Sequence, residues 1–346
     1  MHTPNWEIIN STLKNKVALA REEATWAMLE MMSGNTPGET IKEFLVLMNE
    51  KSPTAGEIAG LVDAMLQNAT KIDITNQAID IVGTGGDQAG TINISTASAL
   101  VVAAAGEGVI KHGNRAASSK TGSADVLEVM GLNLNLTTKE VADCFEENNI
   151  TFCFAPIFHP AMRHVAPVRK ELNVPTVFNI LGPLANPAQP VAQATGVSSL
   201  KMAPLMAEVF AKRGTNALVM RGLDGLDEMS IAGDTQIWDT REGEVREELF
   251  KLSRLGIDSA SIAELKGGEA AENAKILKAA LANKASEAVL NAIALNSAAA
   301  FVAKGEPDKE LTGQLIQGFE KARDVLASGQ VLELLEKWIN WTKKIS

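Results

Sequence analysis

From about residue 5 to residue 68, apolar side chains recur at i, i+3, i+4 spacing: Trp6 and Ile9; Ala24, Met28 and Met31; Ile41, Phe44, Leu45 and Met48; Ile58, Leu61, Val62 and Met65. That period marks one apolar face on each of several helices. The last run opens on a capping box, Thr54 with Glu57, directly after Pro53. The pattern changes at residue 79. Short apolar or β-branched runs at 79–82, 109–111, 132–136, 151–155, 176–179, 194–197, 217–220 and 229–231 then alternate with helical stretches. Such alternation predicts a mostly parallel sheet, since parallel neighbours require crossovers that cover both faces. Residues 159–172 read as a helix, followed by the proline-punctuated turn Asn179-Ile180-Leu181-Gly182-Pro183-Leu184-Ala185-Asn186-Pro187. Beyond Asp258 the chain is helical and alanine-rich. The expected class is α/β: a small all-helical domain plus a large α/β domain whose central, mostly parallel sheet is flanked by helices.

Two strand-to-helix junctions carry unusual chemistry. After residues 79–82 comes Gly83-Thr84-Gly85-Gly86-Asp87, leading through Thr91-Ile92-Asn93-Ile94-Ser95-Thr96 into a helical pattern over 97–105. After Val109 and Ile110 comes Lys111-His112-Gly113-Asn114-Arg115, then Ser118, Ser119, Lys120 and Ser123, then a helical pattern over 124–130. Glycines let backbone N–H groups approach an anion, and hydroxyls at a helix start add donors where the helix dipole favours negative charge. Between Gln88 and Ala124 the only carboxylate is Glu107, against Lys111, Arg115 and Lys120. This predicts a locally cationic pocket for a small, highly charged phosphorylated ligand; the alternative for either turn alone is plain backbone geometry. Two common nucleotide fingerprints are excluded by spacing. A GxGxxG motif begun at Gly83 would need a glycine where Gln88 stands, and no GxxxxGK[ST] surrounds Lys111 or Lys120.

Asp227-Glu228 follows Gly222 and Gly225 and precedes an apolar run over 229–232. Adjacent carboxylates at such a junction can hold Mg²⁺, which takes few protein carboxylates and keeps waters and substrate phosphates; the alternative is a solvated acidic turn. His112, His159 and His164 lack the Cys/His grouping of a transition-metal site. Each reads as a hydrogen-bonded structural histidine, with a base role open to His112. Arg169 offers a planar fork for a carboxylate or phosphate, against a surface ion pair with Glu171 or Glu140.

Composition narrows the classes further. A chain of 346 residues suggests about two domains. Its 46% hydrophobic content with only 4% aromatics and no tyrosine implies an aliphatic core. The net charge of −10 opposes a nucleic-acid or anionic-membrane partner. Cys144 and Cys153 are too few for a disulfide framework. No signal-peptide pattern opens the chain, and the longest apolar run, 99–105, is far below the ~20 residues of a membrane span. A soluble, cytoplasmic protein is expected.

Together, Gly83-Thr84-Gly85-Gly86-Asp87, Asn93-Ile94-Ser95-Thr96, Lys111-His112-Gly113-Asn114-Arg115, Gly122-Ser123-Ala124-Asp125, the turn from Asn179 to Pro187, Asp227-Glu228 and Gly267-Gly268-Glu269-Ala270-Ala271-Glu272-Asn273 closely resemble the anthranilate phosphoribosyltransferase family. The resemblance covers essentially the whole chain. Pyrimidine nucleoside phosphorylases share the architecture, but usually read Lys-His-Ser where this chain has Lys111-His112-Gly113.

The resemblance implies transfer of a phosphoribosyl group from phosphoribosyl pyrophosphate (PRPP) to the amine of anthranilate in tryptophan biosynthesis. It places Gly83, Gly86, Asp87, Thr91, Asn93, Ile94, Ser95, Thr96, Lys111, His112, Gly113, Asn114, Arg115, Ala116, Ala117, Ser118, Ser119 and Ser123 around PRPP. Gly83, Asn114 and Arg169 would face anthranilate, and Ser95, Asp227 and Glu228 would serve Mg²⁺. No side chain is assigned as catalytic; His112 is the candidate base. By the same resemblance, residues 1–72 with 160–190 form the helical domain and 73–159 with 191–346 the PRPP-binding domain, and the protein is a homodimer. The other readings are a pyrimidine nucleoside phosphorylase and a non-catalytic PRPP-binding paralogue. Gln88, where many relatives have glycine, and Thr121, in place of Ser or Cys, depart from the family pattern.

Overall fold

The computed structural model describes residues 3–74, 77–116, 119–307 and 310–345. Among the described residues seven strands form one sheet: β1 Ile79–Gly83, β2 Val109–Gly113, β3 Ile150–Phe154, β4 Ala192–Gly196, β5 Asn216–Gly222, β6 Thr235–Asp239 and β7 Arg246–Phe250. Their order is β3-β2-β1-β4-β5-β6-β7. The pairs from β3 through β5 are parallel, and β6 and β7 add an antiparallel edge. β7 exposes Arg246, Glu247 and Glu248, charges that discourage a further strand from pairing there.

Among the described residues four helices precede the sheet: Trp6–Lys14, Arg21–Ser33, Gly38–Lys51 and Ala55–Gln67. The capping box at Thr54 is formed, with its side chain accepting from Glu57 N–H. Their apolar faces do not close on themselves. Ile9, Met28, Phe44 and Leu61 share one continuous core with Val168, Phe178 and Leu181 from the 160–190 stretch, with Phe210 of the helix Ala203–Arg213, and with Val219 and Trp238 from one face of the sheet. The opposite face packs on the alanine-rich helices Ile94–Ala104 and Glu287–Lys304.

Three expected strands are absent. Leu132, Leu134 and Leu136 alternate inward as anticipated, but residues 132–136 pair with no sheet edge; Asn133 N–H instead meets Thr342 Oγ1 at 3.2 Å. Residues 176–179 run into the helix Phe178–Leu184, which contains Pro183, so the expected turn is a short helix. Residues 229–231 are buried without strand pairing because the Asn296 amide binds both Met229 N–H and Met229 C=O, at 2.8 and 3.0 Å. The helix expected over 159–172 is a 3-10 turn, Pro160–His164, followed by Ala166–Leu172; Pro160 and Pro167 start separate segments. The β6–β7 hairpin was not anticipated, because its strands are too polar to stand out.

The strand order reverses beside β1, and the carboxyl ends of β1, β2 and β4 there are Gly83, Gly113 and Gly196. In open α/β sheets, a crevice at such a switch point is where ligands bind.

Candidate active site

Both glycine turns open onto one cavity of about 370 Å³ at that crevice. It brings together every predicted site residue that is described, including Arg169 from the helix Ala166–Leu172 and Asp227 and Glu228 from the loop after β5. Ala117 and Ser118 lie outside the described residues. Two helices, Ile94–Ala104 and Ser123–Met130, start at its wall, so backbone N–H groups and dipoles favour an anion there.

The pocket is less cationic than the sequence window suggested. Arg115 pairs with Asp125 and Glu128 at 3.1 and 2.5 Å, and these two carboxylates raise its pKa. Lys120 is exposed and outside the wall, while Asp87, Asp227 and Glu228 are part of it. Lys111 is buried, donating its ammonium to Ile81 C=O and, at 3.3 Å, to Ser95 Oγ. Desolvation lowers its pKa, opposed by Asp80 and Glu228.

Asp227 and Glu228 are each 8% exposed. Gly85 N–H donates to Asp227 Oδ2 at 2.6 Å. This approach depends on glycine in β1 and β4: a Cβ on Gly83 would stand 2.3 Å from Asp227 Oδ2, and one on Gly196 1.6 Å from the Asp227 carbonyl. Burial, then repulsion from Asp87, pushes the Asp227 carboxyl up to about 8. Burial and repulsion from Asp227 push Glu228 far up as well. Hard oxygen donors held close, buried and mutually repelling fit a divalent cation.

His112 is buried, with Nδ1 3.1 Å from Gly182 C=O. A carbonyl only accepts, so Nδ1 bears the proton and Nε2 keeps a lone pair; Nε2 is buried and finds no partner among the described residues. Desolvation, then His159 at 5.3 Å between ring centroids, lowers the His112 pKa to about 3. His112 is thus neutral near pH 7. His112→Asn, which can keep a donor toward Gly182, should cost less than the ~100-fold that is the low end of a general base's contribution. Steady-state kcat would check this, and a larger loss in a folded variant would make His112 the proton acceptor.

Arg169 lies with its guanidinium carbon 5.0 Å from the centroid of Phe178. Glu171 is taken by Lys42 at 2.7 Å and Glu140 by the Thr137 cap, so neither expected partner reaches Arg169, and among the described residues it has no ion pair. Desolvation alone lowers its pKa. It stands where the polar cavity meets a second one of about 330 Å³ lined by Met65, Met162, Leu181 and Phe178. Arg169, Asn114 and His112 border both.

Some supporting residues were not legible beforehand. Asp80, fully buried in β1, accepts from His112 N–H at 3.2 Å and Asn186 Nδ2 at 2.9 Å. Its only signal was a carboxylate within an apolar strand. Gln88 adopts φ +60°, a left-handed conformation that favours glycine.

A polar anion pocket at a sheet switch point is joined to an apolar pocket beside a helical bundle, and the chain matches a glycosyl transferase family built of these two parts. Residues 75–332 match the glycosyl transferase family a/b domain, and residues 7–69 its helical bundle domain. The chain belongs to the anthranilate phosphoribosyltransferase family. It is 47% identical to the anthranilate phosphoribosyltransferase of Arthrobacter sp. (strain FB24), covering 98% of this chain and 96% of that one. It is 46% identical to that of Salinispora arenicola, covering 96% of each. Among solved structures, the Thermus thermophilus enzyme superposes with a TM-score of 0.90 at 38% identity, over 97% of this chain and 99% of the other. The Saccharomyces cerevisiae enzyme in complex with PRPP and Mg does so with a TM-score of 0.88 at 28% identity, over 99% and 100%.

Proposed function

We propose that this chain transfers the phosphoribosyl group of PRPP to the amine of anthranilate, yielding N-(5'-phosphoribosyl)anthranilate and pyrophosphate in tryptophan biosynthesis. The observation that carries this reading is the junction of two cavities at Arg169: a polar one walled by both glycine turns and the buried Asp227-Glu228 pair, and an apolar one fit for an aromatic ring.

The turn from Gly83 to Asp87, the helix start at Asn93 to Thr96, and the stretch from Lys111 to Ala116 with Ser119 hold the phosphates and ribose through backbone N–H groups, hydroxyls and Lys111. Asp227, Glu228 and the Ser95 hydroxyl would hold Mg²⁺, supported by their hard oxygen donors and by the repulsion that a cation relieves. When bound, Mg²⁺ supplies charge neutralisation for the departing pyrophosphate. Arg169 receives the acceptor's carboxylate, with Asn114 and Gly83 beside it, and the apolar wall takes the ring. Attack forms the bond from ribose carbon to amine nitrogen as the bond to pyrophosphate oxygen breaks, and the nitrogen then sheds a proton. The chain's residues contribute placement and field more than covalent participation.

The same reading divides the chain into a helical domain, 1–72 with 160–190, and a PRPP-binding domain, 73–159 with 191–346, closing on each other over the substrates. The first four helices share a core with Val168, Phe178 and Leu181, and that core continues into Phe210, Val219 and Trp238 of the larger part. The reading also includes a homodimer through the helical region, where Ile8 and Val46 are exposed. A cytoplasmic setting belongs to it as well, consistent with two free, buried cysteines; among the described residues no helix is long and apolar enough to cross a membrane.

The test is one assay with protein, Mg²⁺, PRPP and anthranilate, following anthranilate loss and pyrophosphate release. Both should occur together. Phosphorolysis of thymidine or uridine instead would favour the phosphorylase, and PRPP binding without turnover the non-catalytic paralogue.

A further inference from the structure

The segment Gly267-Gly268-Glu269-Ala270-Ala271-Glu272-Asn273 forms no part of the cavity wall, yet it ties both glycine turns together. Gly267 N–H donates to Gly90 C=O at 2.8 Å, on the run that leaves the first turn. Thr121, at the end of the second loop, donates its hydroxyl to Gly268 C=O at 2.8 Å. Asn273, 1% exposed, sits between them. Its Oδ1 accepts Gly268 N–H at 2.7 Å, and its Nδ2 donates to Asn93 Oδ1 at 2.9 Å. Asn93 in turn donates its Nδ2 to Thr121 C=O at 3.0 Å.

This chain of bonds permits one orientation of the Asn93 amide. Gly268 N–H needs an oxygen, which turns the Asn273 nitrogen toward Asn93; Asn93 must then present oxygen to Asn273 and nitrogen to the Thr121 carbonyl. A flipped Asn93 would set nitrogen against nitrogen and oxygen against carbonyl. One Nδ2 hydrogen and one Oδ1 lone pair of Asn93 remain for a ligand in the cavity it lines. The close approach is built in: a Cβ on Gly267 would lie 2.4 Å from Asn273 Oδ1 and 2.9 Å from Thr91 C=O.

We propose that Asn273 is a positioning residue for the PRPP site, fixing through Asn93 the amide orientation and the spacing of the two turns. The inference rests on the reading of this cavity as the PRPP site. In calorimetric titration with PRPP and Mg²⁺, Asn273→Ala should weaken binding about tenfold, equivalent to about 1.4 kcal/mol. The KM for PRPP should rise alongside, with kcat and the anthranilate KM largely unchanged. Because Asn273 acts through Asn93, the same change in an Asn93→Ala background should add less than about twofold. Asn273→Asp keeps the acceptor for Gly268 N–H but loses the donor to Asn93, so it serves if the alanine variant fails to fold. The background cycle also separates its added charge, which would act with or without Asn93.

Unchanged PRPP affinity in a folded Asn273 variant would overturn the inference. So would a loss that persists undiminished with Asn93→Ala, or a fall in kcat at constant KM. If the unaltered protein fails to bind PRPP, the underlying reading falls and this one with it; if it binds and the variants bind equally, this one falls alone.

Discussion

Changing Asp227 to Asn and Glu228 to Gln together should lower turnover by about 10³-fold, because a bound divalent ion contributes several kcal/mol of charge stabilisation at about 1.4 kcal/mol per decade. The same double variant should make the metal-free protein more stable. Burial and mutual repulsion raise both carboxyl pKa values, that of Asp227 to about 8. A carboxyl raised in the fold contributes stability that is fully present below the ordinary carboxylate range and is lost as pH rises through its folded value. Metal-free Tm should therefore fall between about pH 4 and pH 8 in the unaltered protein and much less in the variant. Near pH 8 the variant should melt about 2 °C or more above its parent, and added Mg²⁺ should raise the parent's Tm only. Unchanged activity in the folded variant, with Mg²⁺ dependence retained, would remove the pair from the site.

Arg169→Ala should raise the apparent KM for anthranilate by roughly 10- to 150-fold, the range for a hydrogen bond to a charged partner at about 1.5–3 kcal/mol. If the contact acts equally in ground and transition states, kcat is largely spared. The KM for PRPP should move little. The expectation rests on a guanidinium desolvated beside Phe178, without an ion pair among the described residues and at the mouth of the apolar cavity. A half-buried, partly desolvated cation without a counterion among the described residues is a site waiting for an anion. Steady-state kinetics varying each substrate in turn will decide: weakened PRPP saturation with anthranilate saturation unaltered would assign this arginine to the donor.

Much of the site was legible because its chemistry is local. The turns from Gly83 and Lys111 each follow a strand and precede a helix, so a strand–glycine–helix reading places their N–H groups without knowledge of the sheet order. Arg115 shows the limit of that reading. Counting charges between Gln88 and Ala124 made it a free cation, whereas Asp125 and Glu128, one turn into the next helix, take it. The absent strand at 229–231 fails for a similar reason, since Asn296 from the distant helix Glu287–Lys304 takes the Met229 backbone, the Thr235 hydroxyl accepts from Ser230 N–H and Ala260 N–H donates to Ile231 C=O.

The sequence by itself determined the class of fold, the two anion-binding turns, the acidic pair and the family, because periodicity, glycine placement and motif spacing are properties of contiguous residues. Only the tertiary structure decided the strand order that brings Gly83, Gly113 and Gly196 to one crevice, and the merging of the helical bundle's core with the sheet. It alone gave Asp227 and Glu228 their burial and Arg169 its place between two cavities. It also linked Asn273 to Asn93 across 180 residues. Desolvation and hydrogen-bond partnership depend on which distant atoms displace water, and no local pattern encodes that.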